Sequence, residues 1–107
     1  MKMIMAVISN EDNAKLSSEL NKAGFFVTKL SSTGGFLMSG NTTLMTVTED
    51  DKVDTIIDIF KKFSNKRTKM VASSASFGMD MNMSIPVEVS IGGATIFVLN
   101  VEQYKKL

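Results

Sequence analysis

The sequence predicts an α+β fold of ferredoxin-like type. Its elements run β-α-β-β-α-β, both helices lie on one face of an antiparallel sheet, and extra strand material follows as a C-terminal hairpin. Three observations carry that expectation. Short apolar or alternating runs of strand type are separated by two stretches with helical period. The second of those stretches has an apolar stripe repeating at about 3.6 residues. Late in the chain, Gly92-Gly93 separates two β-branched runs, a spacing that reads as a tight hairpin.

The elements follow in order. Met3 to Ile8 is nearly continuous in apolar residues, as expected of a central strand buried on both faces. Ser9 to Asp12 supplies capping residues for a helix in which Leu16, Leu20 and Ala23 recur at helical spacing and Gly24 is the stop. Phe25 to Ser31 alternates, with Phe26, Thr28 and Leu30 on one face and Phe25, Val27 and Lys29 on the other. After a glycine-rich loop, Thr42 to Thr48 is a β-branched third strand. Glu49, Asp50 and Asp51 suit a helix N-terminus, and Val53, Ile56, Ile57, Phe60 and Phe63 form the apolar stripe behind them. A strand is expected at Lys69 to Ala72, then a Ser-, Gly- and Met-rich stretch from Ser73 to Pro86. Strands at Val87 to Ile91 and Ala94 to Val101 follow, and the tail from Glu102 to Leu107 forms a short helix or lies across a neighbour.

The chain has 107 residues, enough for one domain over residues 1–107 and not two. It contains neither cysteine nor histidine, which removes disulfides, thiol catalysis, thiolate metal sites and histidine-based acid–base chemistry. A net charge of +1 argues against general nucleic-acid binding, which rests on many phosphate contacts. The N-terminus lacks the pattern of a signal peptide, and no run reaches the roughly 18 apolar residues of a membrane span. A cytoplasmic protein is expected.

The segment from Ser32 to Thr43 reads as a loop between strands for a phosphate-bearing or nucleotide-like ligand. Gly35 and Gly40 have P-loop spacing, but Asn41 stands where the lysine should be, and a strand rather than a helix follows. A Walker-type nucleotidase is therefore rejected. The glycines still allow close backbone approach, and Thr33, Asn41 and Thr43 supply neutral donors and acceptors. The spacing alone also fits a glycine-rich connection with no ligand. Phe36 and Leu37 read as loop anchors more readily than as a surface for stacking a base. Met79, Met81 and Met83 fit either an adaptable partner surface or a loosely packed loop. Lys61, Lys62, Lys66, Arg67 and Lys69 read as a solvated helix end. RNA binding is disfavoured because the first strand has no aromatic on which bases would stack. No nucleophile–base pair is evident, so no catalytic residue is assigned and an enzyme is not expected.

Together these residues resemble the PII-like cyclic di-AMP receptors. Thr28-Lys29-Leu30, Thr33 to Leu37 and Gly40 to Thr43 match the family's TKL, TGGFL and GNTT segments, while Pro86 to Val89 and Gly92 to Val98 match its PVEV and GGATVFV segments. The resemblance covers nearly the whole chain. It implies a PII-like homotrimer that binds cyclic di-AMP in clefts between subunits and relays occupancy through mobile loops to a protein partner. It implies no metal and no resident cofactor. Thr28, Gly35, Phe36, Leu37 and Asn41 would line one side of the cleft, and Phe97 would come from the last hairpin. Family members usually carry arginine at the position of Phe26, glycine at Val47 and glutamine at Lys106, and a Pro-Met-Gly-Gly pattern within the stretch from Ser73 to Ile85. These departures keep a second function in view: a PII-like interaction module that recognises another nucleotide or only a protein partner.

Overall fold

A computed structural model describes residues 1–30, 40–73 and 85–107. The first strand, β1 (Lys2–Ser9), lies inside a four-stranded sheet. There it pairs antiparallel with β3 (Asn41–Thr48) on one side and β6 (Ala94–Asn100) on the other. The short β2 (Thr28–Leu30) pairs antiparallel with β3, giving the order β2-β3-β1-β6. This is the ferredoxin-like arrangement with β6 as the last sheet strand. The first strand is central as expected, but only one of its faces is fully buried. Ile4, Ala6 and Ile8 are sealed beneath the helices, while Met3, Met5 and Val7 on the opposite face are half-buried.

Helix α1 (Asn13–Lys22) follows a single 3-10 turn at Asn10–Asp12, and α2 (Val53–Phe63) follows a second at Asp50–Lys52. Leu16 and Leu20 of α1 meet Ile56 and Phe60 of α2 over Ile4, Ala6, Ile8 and Leu44, and these eight side chains form the core. Gly24 ends α1 as expected. At φ +91° it donates its N–H to Asn21 O at 3.0 Å, while Phe25 N–H reaches Leu20 O at 2.9 Å. That pair of bonds is a Schellman cap, and it satisfies two carbonyls that the helix leaves free. Phe25 and Val27 then pack on the core, and β2 is shorter than the sequence implied. The acidic run also falls as expected, and Asp50 holds the N-terminal ammonium at 2.8 Å.

The last third departs from expectation. β4 (Arg67–Ser73) and β5 (Ile85–Ile91) pair antiparallel with each other in a separate two-stranded sheet, a ribbon outside the main one. Gly92-Gly93 is therefore not the turn of a β5–β6 hairpin. It is a corner that passes the chain from the ribbon into the main sheet. A β5–β6 hairpin would not by itself fill the second edge of β1, and an unpaired backbone edge beside a core is costly. Pairing β6 with β1 fills that edge and sets Ile96 opposite Ala6 against the core. The corner is tied to the end of α2, where Gly93 N–H donates to Ser64 O. Residues 101–107 form no helix, and Val101 N–H bonds Met1 O at 3.1 Å.

Gly92 and Gly24 share a positive φ but differ in surroundings. A Cβ at Gly92 would fall 2.2 Å from Asn65 O, whereas one at Gly24 meets nothing within 4 Å. Gly24→Ala is expected to cost about 1–2 kcal/mol from the left-handed backbone alone. Gly92→Ala should cost roughly 1–3 kcal/mol more, because its neighbours are backbone and must shift. Urea denaturation of the two variants checks the difference.

Candidate functional site

Among the described residues, no helix packs on the second face of the sheet. Strand register lays it out in rows: Thr28, Met45, Met5 and Phe97 cross all four strands in one line, with Val47, Met3 and Leu99 beside them. Val47, Phe97 and Leu99 are 37%, 44% and 41% exposed. Large apolar side chains in a continuous patch are unusual on a monomer surface and mark a contact site. Thr28 and Phe97 end the same row on opposite edge strands. Three strand spacings separate them, roughly 14 Å.

Two clefts border this face. The first, of 410 Å³, lies at the end where Asn41 begins β3, and is lined by Ser9, Asn41, Lys66, Gly92, Gly93 and Thr95 among others. It brings the end of the glycine-rich segment together with the Gly92 corner. The sequence offers these only as two separate motifs. The second cleft, of 470 Å³, lies near the other end and is lined by residues including Phe26, Thr28, Val47, Glu49 and Tyr104. Thr46 Oγ1 donates to Phe26 O at 2.7 Å, which fixes the backbone there and leaves the Phe26 ring 89% exposed.

The expected ligand residues thus divide. Asn41 lines the first cleft, Thr28 the second, and Phe97 shares the row of Thr28 across the face. Gly35, Phe36 and Leu37 lie outside the described residues, as do the methionines of the Met-rich stretch. Lys66, Ser9, Thr95 and Tyr104 were not singled out as site residues. Lys66 was hidden in a cluster that read as a helix end, and its place beside Asn41 depends on the corner at Gly93, against which its side chain packs.

The base of the loop is tightly held. Gly40, at φ +96°, presents its carbonyl to Asn10 N–H at 2.8 Å, and Thr42 Oγ1 donates to Asn10 Oδ1. The next two residues of the turn hold the ribbon. Arg67 Nη2 lies 2.7 Å from Asp12 Oδ1, with Nη1 3.4 Å from Oδ2, and Lys69 Nζ lies 2.7 Å from Glu11 Oε1. Asp12 is 5% exposed, so its charge is out of water and needs this guanidinium. The basic cluster is therefore not uniformly solvated. Arg67 and Lys69 are in ion pairs, and Lys62 sits 5.3 Å over the Phe63 ring. Among the described residues, no group of three or more acidic, His or Cys side chains is placed to hold a metal ion, and no helix is long and apolar enough to cross a membrane.

The hydrogen bond from Lys69 holds the Glu11 carboxyl below its ordinary value, reinforced by the nearby Lys69 and Arg67 charges against the cost of desolvation. A carboxyl whose value is lower in the folded than in the unfolded state adds stability that is present above the unfolded value. That contribution disappears as pH falls through the folded one. Glu11→Gln should therefore lower stability slightly at neutral pH, and the difference from the parent chain should vanish below the ordinary glutamate range. Denaturation midpoints from neutral to acidic pH check this.

The fold has a counterpart among known proteins. A crystal structure of a functionally unknown protein from Pediococcus pentosaceus is similar at 35% identity and a TM-score of 0.76, covering 99% of this chain and 96% of that one. A family model described as cyclic-di-AMP receptor matches residues 1–107, the whole chain. An intact glycine-rich segment ending at Asn41, a Gly92 corner beside it and a match over every residue lead to one conclusion: this chain belongs to the cyclic di-AMP receptor family.

Proposed function

We propose that this protein is a signal-transduction receptor that binds cyclic di-AMP in clefts between the subunits of a homotrimer. The family is one of receptors, which favours ligand binding and signalling over catalysis. The observation that carries the inter-subunit setting is the division of the site across the second, apolar face of the sheet. Thr28 and Phe97 end one row on opposite edges of the sheet, and Asn41 borders a different cleft from Thr28. A ring of three copies lets residues from opposite edges of neighbouring subunits meet, and it covers Met3, Met5 and Leu99. Asn41 has both donor and acceptor for a purine edge and Phe97 offers apolar surface, while Gly35, Phe36 and Leu37 enter this reading through their motif alone. Ligand occupancy is then passed through mobile loops to a protein partner.

A second reading has its own observation. Phe26 and Val47, where the family usually carries arginine and glycine, line the same cleft as Thr28. A cleft with an exposed phenylalanine in place of a guanidinium favours a less charged ligand, or a protein side chain, over a phosphodiester. In that case the chain is an interaction module that recognises another nucleotide or only a protein partner.

Titration calorimetry with cyclic di-AMP, ATP and cyclic di-GMP separates the two. Saturable heat with cyclic di-AMP alone is expected, with Asn41→Ala weakening binding about tenfold or more. No heat with any of the three at high micromolar concentration overturns the receptor reading and favours the second. Light scattering should give three times the 11.7 kDa chain mass. Leu99→Glu should give monomers that stay folded, since Leu99 is 41% exposed in the single subunit and lies outside the core. A monomeric parent chain overturns the trimer.

A further inference from the structure

We propose that the turn Asn10–Asp12 is a positioning element that couples the Gly40–Thr42 segment, and with it Asn41, to the root of the β4–β5 ribbon. The coupling belongs to the chain itself. Its use in signalling rests on the receptor reading above.

The turn is three residues long, and each has a separate long-range task. Asn10 holds the loop base twice, through its N–H to Gly40 O at 2.8 Å and through its side-chain oxygen, which accepts from the Thr42 hydroxyl. Glu11 holds Lys69 and Asp12 holds Arg67, each at 2.7 Å. One peptide separates Asn10 from Glu11, so movement of the loop base has little backbone in which to be absorbed before it reaches the ion pairs. The neighbours on either side are fixed as well. Ser9 pairs with Asn41 in the sheet, and Asn13 starts α1.

The chain of contacts returns to the cleft where it began. Arg67 Nη1 also donates to Asn65 O at 3.0 Å, and both groups press on Gly92, where an added Cβ would fall 2.7 Å and 2.2 Å from them. Gly92 and Asn41 line one cleft. The circuit runs from Asn41 through its neighbours Gly40 and Thr42 to Asn10, along Glu11 to Asp12, and through Arg67 to Gly92. Asp12 keeps the circuit from slackening. With 5% exposure, its carboxylate loses its guanidinium only at the expense of a stranded buried charge. Coupling of this kind is reciprocal, so a ligand that fixes Asn41 steadies the ribbon root, and a partner gripping the ribbon steadies Asn41.

Amide hydrogen exchange on the full chain, without ligand, tests the coupling. Thr42→Val removes the hydroxyl at the loop end and is read at the far end. Protection across Arg67–Lys69 and Val89–Ile91 is expected to fall about fivefold, while that of Ile4–Ala6 in the central strand stays as in the parent chain. Thr42→Ser restores the hydroxyl and should restore ribbon protection. Asp12→Asn should in turn speed exchange at Asn41 and Thr42. Arg67→Lys, which keeps the charge but loses the two-point contact, serves if Asp12→Asn does not fold. The double variant Thr42→Val/Asp12→Asn should be less than additive. Effects confined to the mutated end, or an equal loss throughout the main sheet, overturn the proposal. A titration with cyclic di-AMP keeps the two readings apart. Heat of binding with no rise in ribbon protection overturns the coupling and leaves the receptor. Absence of heat with the unliganded coupling intact overturns the receptor and leaves the coupling.

Discussion

The second edge of β1 is the constraint on which the other features depend. β1 carries the core residues Ile4, Ala6 and Ile8 and lies in the middle of the sheet, so both its backbone edges are inside the molecule and both must be paired. β3 takes one and β6 takes the other. Once β6 is committed, β4 and β5 have no place in the main sheet and pair with each other. The chain must then turn sharply from the ribbon into β6, with two consecutive residues at φ +86° and +78°, which is why glycines stand at 92 and 93. That corner brings the GGAT segment beside Asn41, so the candidate cleft is a by-product of completing the sheet.

The same pairing creates the second face of the sheet. Strand alternation sends Ile4, Ala6 and Ile8 to the helices and necessarily sends Met3, Met5 and Val7 the other way. Two helices cover one side of the four-stranded sheet and do not reach the other. Methionine on that side is informative, since its unbranched side chain repacks at little cost, which is what the trimer proposed above asks of this face. A chain this short also gains proportionally more than a large one from burying surface between copies.

How much of this was legible follows from which signals are local. The stripe in α2, the capping glycine at 24 and the alternation of Phe25 to Ser31 are short-range patterns; the helix and the cap were found where they placed them, while the strand kept only Thr28–Leu30. Gly92-Gly93 was misread because a tight hairpin and a corner between sheets ask the same thing of a dipeptide: positive φ without a Cβ. What separates them is the partner of the following strand, which is a long-range fact. The site shows the same limit. Asn41, Thr28 and Phe97 were identifiable as residue types within motifs, but their division between two clefts depends on strand order and register. Arg67 and Lys69 looked solvated because their acids, Asp12 and Glu11, lie far away in sequence.

The use of ion pairs rather than apolar packing at the ribbon root is itself telling. Buried pairs contribute little net stability against a well-packed apolar substitute, because desolvation offsets most of their attraction. What they add is position. A patch of aliphatic side chains tolerates sliding, whereas a guanidinium meeting both oxygens of a buried carboxylate has one satisfactory arrangement. Among the described residues, none of the side chains in the main core comes from β4 or β5. The contacts described for these strands gather at one end, the root where Arg67 pairs with Ile91: the ion pairs to Asp12 and Glu11, and the Gly92 corner. A ribbon held at its root by a few directional contacts has a position that a small shift at those contacts can change. That is the physical requirement of the coupling proposed above between the ribbon root and Asn41.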